Sequence, residues 1–299
     1  MSSEGAPKQP VRPLPFQYAL LAGAIAGCTE ICVMYPLDVV KTRLQLEVGR
    51  GQYSSMYDCM RQIVVHEGPL KLYRGMIPPI LAEAPKRAVK FGANDTYTGI
   101  ARKWGFGASQ ATSTVVGLFA GMSEGIVICP SDLVKIRLQD KANAGKYKNT
   151  IDCMVKVTRS EGILAFYNGL GATLWRNGSW NAGYFGVIHF ARGLMPVQKD
   201  DSKAVAMFKN FLSGALGGTV GTMINTPFDM LKSRIQNSPM TDRTYKPTLR
   251  GYALVYRTEG FQALYKGFVP KVWRLGPGGG ILLVVYDASA TWIRRTFQV

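Results

Sequence analysis

Three ten-residue clusters hold much of the ionic chemistry of this 299-residue chain: PLDVVKTRLQ from Pro36, PSDLVKIRLQ from Pro130 and PFDMLKSRIQ from Pro227. Each places an acid two residues after proline, a lysine three residues later and a glutamine four beyond that, all on one helical face. Each cluster closes an apolar stretch, where an unpaired charge costs several kcal/mol, roughly 3–5. Pairing between the clusters is therefore expected. Proline removes a backbone hydrogen bond and bends a helix, so Pro36, Pro130 and Pro227 are expected to draw three helix ends together. Other chemistry finds no support. Cys28, Cys32, Cys59, Cys129 and Cys153 form no CxxC pair and no metal spacing with His66 or His189. There is no P-loop, GxSxG or HExxH, so no metal, cofactor or enzymatic role is expected.

The elements that must position these clusters are themselves repeated. The prolines lie 94 and 97 residues apart, too long for a solenoid unit. Gly23 and Gly27, Gly117 and Gly121, and Gly214 and Gly218 precede them in one register, and EGPLKLYRG, EGILAFYNG and EGFQALYKG follow from Glu67, Glu161 and Glu259. The expected organisation is an N-terminal arm at 1–15 and repeats at 16–105, 106–200 and 201–299, forming one integral unit. Residues 16–36, 111–130 and 208–227 are apolar for about the length of a bilayer-spanning helix. GxxxG spacing in each suits close helix packing. The second half of a repeat is more charged, yet Glu83, Lys86, Arg87, Lys90 and Asn94 follow steps of three and four and form one stripe, suited to a polar cavity. Residues 57–65, 151–158 and 249–257 read as short amphipathic surface helices. Cys28 and Cys32, four apart, are expected to pack as small apolar groups.

The formal charge of +17 fits a nucleic acid, an anionic membrane or an acidic solute. Bases recurring at fixed triplicate points argue against nucleic acid, whose binders cluster them with exposed aromatics. Residues 1–15 lack a signal-peptide apolar core and, with Glu4, resemble a transit peptide poorly.

The signature Px[DE]xx[KR]x[KR], followed after about thirty residues by [DE]Gxxxx[FWY][KR]G, occurs in all three repeats and resembles that of the mitochondrial carrier family. Asn168 departs from it, standing where a base is expected and placing the local lipid-binding or linking role in doubt. The resemblance implies an all-α membrane protein of three tandem repeats. Six transmembrane helices would form a pseudo-threefold bundle in the mitochondrial inner membrane, with short matrix-side surface helices and both termini toward the intermembrane space. It would work as a monomer by alternating access.

It also implies residue roles. Asp38 with Lys135, Asp132 with Lys232 and Asp229 with Lys41 would close a matrix gate braced by Gln45, Gln139 and Gln236. Asp95, His189, Arg192 and Asp287 would supply a weak cytoplasmic-side gate. Gly75, Gly169 and Gly267 would hold cardiolipin.

Arg176 and Arg274 fall thirteen residues ahead of His189 and Asp287, at one depth, with Ala82 in the equivalent place on the second span. Two cations and a gap suit an elongated dianion, and arginine grips carboxylate through two bonds. Lys90, Arg87 and Lys86 would form a third wall, while Asn177, Trp180, Asn181 and Tyr184 extend the Arg176 face. PPILAEAPKRAVKF and PKVWRLGPGGG are similar to members that move oxodicarboxylates. The implied activity is antiport of 2-oxoadipate, 2-oxoglutarate and similar C5–C7 dianions, with tricarboxylate or succinate–fumarate exchange as rivals.

Overall fold

A computed structural model describes residues 14–48, 53–107, 109–194 and 203–297, and within them every regular element is a helix. Residues 1–13, most of the expected N-terminal arm, lie outside this description, as do the side chains of Asn181, His189 and Arg192. The first repeat contains α1 (Phe16–Leu46), the short α2 (Met56–Gln62) and α3 (Ile77–Lys103). The second contains α4 (Gln110–Gln139), α5 (Thr150–Glu161) and α6 (Leu170–Leu194). The third contains α7 (Lys203–Asn237), α8 (Thr248–Glu259), the single-turn α9 (Phe261–Leu264) and α10 (Phe268–Phe297).

Six long helices pack in the cyclic order α1, α3, α4, α6, α7, α10. The three that end in the ionic clusters, α1, α4 and α7, also touch one another, whereas α3, α6 and α10 make no comparable mutual contact. The bundle is thus closed where the clusters lie and open at the opposite end. Pro36, Pro130 and Pro227 sit inside continuous helices, about ten residues before their ends. The third copies of the surface helix begin without a side-chain cap, but Ser55 and Asn149 accept the Asp58 and Asp152 amides at the starts of α2 and α5. Gly68, Gly162 and Gly260, the glycines of the EG pairs, turn the chain out of these helices at φ near +90° (93°, 84° and 86°), a conformation that disfavours side chains.

The packing is reversed relative to a water-soluble bundle. Leu21, Ile25 and Val33 on α1, Phe119 and Ile126 on α4, and Leu216 and Met223 on α7 are exposed, while Asp38, Gln45, Arg137, Asp229 and Lys232 are buried. The principal buried apolar clusters lie at the closed end, one per repeat: Tyr35, Val39 and Ile63; Leu133, Leu138 and Val157; Met230, Leu231 and Val255. Each joins the end of an odd span to its surface helix, and each such side chain contributes roughly 1.5–3 kcal/mol on burial. Only Gln17–Leu46 and Ala111–Gln139 are long and apolar enough to read as spans on hydropathy alone, among the described residues. Helices such as α3 place charge at mid-length, facing inward. The cysteine expectation needs correction: Cys28 is half-buried, but Cys32, one turn further along α1, is exposed.

Candidate functional site

The ten-residue clusters meet at the closed end. Lys135 Nζ lies 2.8 Å from Asp38 and Lys41 Nζ 2.7 Å from Asp229, and Lys232 pairs with Asp132. Each lysine therefore reaches the acid of a neighbouring repeat, giving a ring of three inter-repeat ion pairs. The glutamines meet the expectation only at Gln45. Gln45 donates to Asp229 at 3.0 Å and accepts from Ser233 at 2.8 Å. Gln139 instead donates to the Tyr35 hydroxyl at 2.9 Å, and Gln236 reaches the Cys129 sulfur at 3.5 Å. The residue before the facing proline decides this. Tyr35 and Cys129 present a partner to the amide, whereas Thr226 spends its hydroxyl on its own helix, at the Thr222 carbonyl, leaving Gln45 to turn to the acid.

A second ionic layer below the ring was not assigned from the sequence. Arg43, Arg137 and Arg234, the last bases of the signature, donate to the backbone carbonyls of Gln139, Gln236 and Gln45 at 2.6, 3.1 and 3.1 Å. Each guanidinium also clamps the glutamate of its own EG pair: Glu67 at 2.6 and 2.8 Å, Glu161 and Glu259 in the same way. The Arg43 hydrogen bonds hold the Glu67 carboxyl below its ordinary value. Burial pushes Glu161 upward, but the Arg137 hydrogen bonds win and its carboxyl is also lowered. The triplicate spacing of 24 to 25 residues from arginine to glutamate is the signal that could have found these pairs.

Asn168 keeps a link despite lacking charge. Its amide donates to Ile235 and Ser238 carbonyls at 2.8 and 3.1 Å, just as Arg74 donates to Ala144 and Tyr147 and Lys266 to Glu47. Gly75, Gly169 and Gly267, the next residues, adopt φ of 78°, 84° and 83°. A Cβ on them would stand 3.2, 3.0 and 3.0 Å from Leu138, Gln236 and Gln45, so these glycines also let neighbouring repeats approach closely.

Above the ring lies a cavity of two lobes that share Asp38, Lys41 and Arg274. The lobe between α3, α4 and α6 holds Lys86 and Arg176 in about 280 Å³; the lobe against α10 holds Trp180 and Lys271 in about 650 Å³. Arg274 grips Asp38 at 2.5 Å and Glu30 at 2.7 Å, and Arg176 lies 3.7 Å from Asp229. Ala82, at the same register, lines the first lobe and offers no charge.

The expected third wall is only partly present. Lys86 lines the cavity, but Arg87 turns back to buried Glu83 at 2.7 Å, against the Gly23 and Gly27 notch of α1. Lys90 is exposed nearer the open end, 3.5 Å from Glu124. Glu83 is 2% exposed, where an unpaired carboxylate would be costly, and it holds Lys86 at 2.5 Å on one oxygen and Arg87 on the other. Asn177 points at neighbouring backbone, donating to the Gly121 carbonyl at 2.8 Å while accepting from Arg176. Trp180 stacks on Tyr184 with centroids 5.0 Å apart. Asp95 and Asp287 are exposed at the open end, with no ion pair among the described residues. The His189 and Arg192 side chains of the expected cytoplasmic-side set lie outside the description.

Sequence reasoning also missed Lys271, Glu30 and Glu124. Glu30 and Glu124 each stand six residues before their proline, where the third repeat has Gly221. Lys271, half-buried, lies 3.0 Å from Asn225 and 3.4 Å from Asp229. Beyond the ring, the described bases Lys86, Arg87, Lys90, Arg176, Lys271 and Arg274 face the acids Glu30, Glu83 and Glu124, leaving three positive charges in excess. An anion is the solute this field would concentrate.

The chain is 50% identical over 288 residues to the probable mitochondrial 2-oxodicarboxylate carrier of Schizosaccharomyces pombe, covering 94% of this chain and 96% of that one. It is 49% identical to mitochondrial citrate transporter D of Aspergillus niger and 47% identical to mitochondrial 2-oxodicarboxylate carrier 2 of Saccharomyces cerevisiae, covering in both cases 95% of this chain and 96% of the relative. The profile of the mitochondrial carrier protein family matches residues 12–103, 107–199 and 203–297 in turn. With three matched repeats, a triplicate ring of ion pairs and an electropositive cavity above it, the chain belongs to the mitochondrial carrier family and is a multi-pass transporter of the mitochondrial inner membrane, not an enzyme.

Proposed function

We propose that this protein exchanges 2-oxodicarboxylates, such as 2-oxoadipate, 2-oxoglutarate and related C5–C7 dianions, by alternating access. The observation that carries the reading is the pair Arg176 and Arg274, at one register and both reaching the cavity, with Ala82 at the third position. The printed names of the relatives point the same way. The two guanidiniums pair with Asp38, Glu30 and Asp229; an incoming dianion would replace those internal carboxylates and so loosen the ring from above. Both termini face the intermembrane space, the closed end with α2, α5 and α8 faces the matrix, and the working unit is a monomer. Asp95, His189, Arg192 and Asp287 close the other side when the ring opens. Cardiolipin phosphates rest at the helix starts beside Gly75, Gly169 and Gly267, where free backbone amides suit an anion.

Liposomes loaded with 2-oxoglutarate and carrying the purified protein should take up labelled 2-oxoadipate, and empty ones should not. Arg176→Ala and Arg274→Ala should each cost about 2–3 kcal/mol of substrate binding, roughly 30–150-fold. Equal uptake into empty vesicles would remove the exchange mechanism, and unchanged transport in both variants would remove the anchors. Tricarboxylate exchange is the second reading, favoured by the excess of three positive charges and by the Aspergillus relative's name. Exchange of citrate at rates above 2-oxoadipate would select it.

A further inference from the structure

Lys271 is a half-buried base that the ring does not require and that only the third repeat possesses. Measured from the EG glutamate, the equivalent residues are Pro79 and Thr173, neither of which carries charge. Its ammonium has three donors to place. It meets Asn225 Oδ1 at 3.0 Å, Thr226 Oγ1 at 3.4 Å and Asp229 at 3.4 Å. Asp229 already has Lys41 at 2.7 Å and Gln45 at 3.0 Å, so Lys271, at 3.4 Å, is held more loosely than Lys41 and is the easier of the two lysines to release.

The lobe that contains Lys271 differs from the other. It is walled by Trp180, Tyr184, Leu275 and Leu282 and is the more spacious of the two. At its floor are Lys271 and Arg274, one helical turn apart on α10 and on one face, with Cβ atoms about 5–6 Å apart. An apolar wall between two cationic donors matches a short methylene chain with a carboxylate at each end. The Arg274 fork suits planar, two-bonded grip on one carboxylate; the lysine suits a point contact with the other.

We propose that Lys271 is a specificity-determining residue that receives the distal carboxylate of the substrate together with Arg176, which converges with it on Asp229, while Arg274 holds the 2-oxo acid end. This rests on the dicarboxylate reading above. The methylene chain lies along Trp180 and Leu275, and Asn225 orients the ammonium. Taking Lys271 also removes one cation from Asp229, so a substrate with a second carboxylate loosens that corner of the ring and one without it does not.

The test is exchange in liposomes with two matched series: 2-oxodicarboxylates of increasing length, and 2-oxo monocarboxylates of the same lengths. The wild type should prefer the dicarboxylate at matched length. In Lys271→Gln that preference, taken as the ratio of apparent Vmax/KM values, should fall at least tenfold, through KM more than Vmax, and Lys271→Arg should restore most of it. A merely structural lysine would depress both series alike and leave the ratio unchanged, which would overturn the assignment. Asn225→Asp keeps Lys271 but sets a competing carboxylate beside it. The same collapse is expected there, and its absence would count equally against the proposal. If the wild type exchanges no 2-oxodicarboxylate at all, the functional reading fails first; if it does so and the variants keep its preference, only the role of Lys271 fails.

Discussion

Two corners of the ion-pair ring arise from the same ten-residue motif yet are held very differently. Asp229 has Lys41, Gln45, Lys271 and Arg176 within 3.7 Å and is 4% exposed. Asp132 has Lys232 as its salt-bridge partner and is 19% exposed. Asp38, with Lys135 and Arg274, lies between them. The reason is local. Arg274 reaches Asp38 and Arg176 reaches Asp229, whereas Ala82, which lines the same lobe as Asp132, offers it no charge. One alanine thus creates both the gap in the cationic floor and the weak corner of the ring. Departure from threefold symmetry at the floor sets where the closed end is easiest to part.

The sharpest way to break that comparison is to delete the acids. Asp229→Asn would leave three cations facing one another in a buried site and should cost about 5 kcal/mol; Asp132→Asn orphans Lys232 alone and should cost about 3 kcal/mol. Thermal unfolding of the two purified variants measures the difference, and equal losses would show that the corners are equivalent. A smaller contrast is expected among the braces. Gln45→Ala removes a hydrogen bond to a carboxylate and should cost about 1.5–3 kcal/mol, whereas Gln236→Ala, which loses only a sulfur contact, should cost under about 1 kcal/mol. Filling the gap should work in the opposite sense. Ala82→Arg is expected to stabilise the closed state by about 1 kcal/mol or less, since the new pair faces a wet cavity, while slowing exchange. A faster exchanger would contradict the view that Asp132 is the loose corner.

The smallest effect concerns the layer below. Glu67 and Glu161 have carboxyls lowered from their ordinary 4.5 in the folded protein. They bind fewer protons folded than unfolded, so their stabilisation is complete above that value and is lost as pH falls through the folded value. The melting temperature should decline on acidification below about pH 4.5, and Glu67→Gln should flatten part of that slope.

The ring was legible because its requirements are repeated: three prolines, three acids and three lysines in register predict partners that one copy never could. The family resemblance then supplied the pairing. Arg176 and Arg274 were legible for the same reason. What escaped was set by neighbours in space. Nothing in the sequence around Arg87 says that a buried Glu83 will claim it against the Gly27 notch, nor that Asn177 will spend its amide on the Gly121 carbonyl. Lys271 escaped for the opposite reason. It has no counterpart in the other repeats, so a search by symmetry passes over it. The arginine to EG-glutamate clamps obeyed the symmetry fully and were overlooked only because both halves were read as signatures instead of as partners.

The three principal apolar clusters all gather at the closed end, around the surface helices. At the wide end no comparable apolar cluster gathers among the described residues, and the helices lean on whatever surrounds them, so the lateral pressure of the lipid tails is there a structural component in its own right. Extraction into a small, loosely packed detergent micelle removes that squeeze without touching a single ion pair. Heat should then splay the mouth before it parts the base.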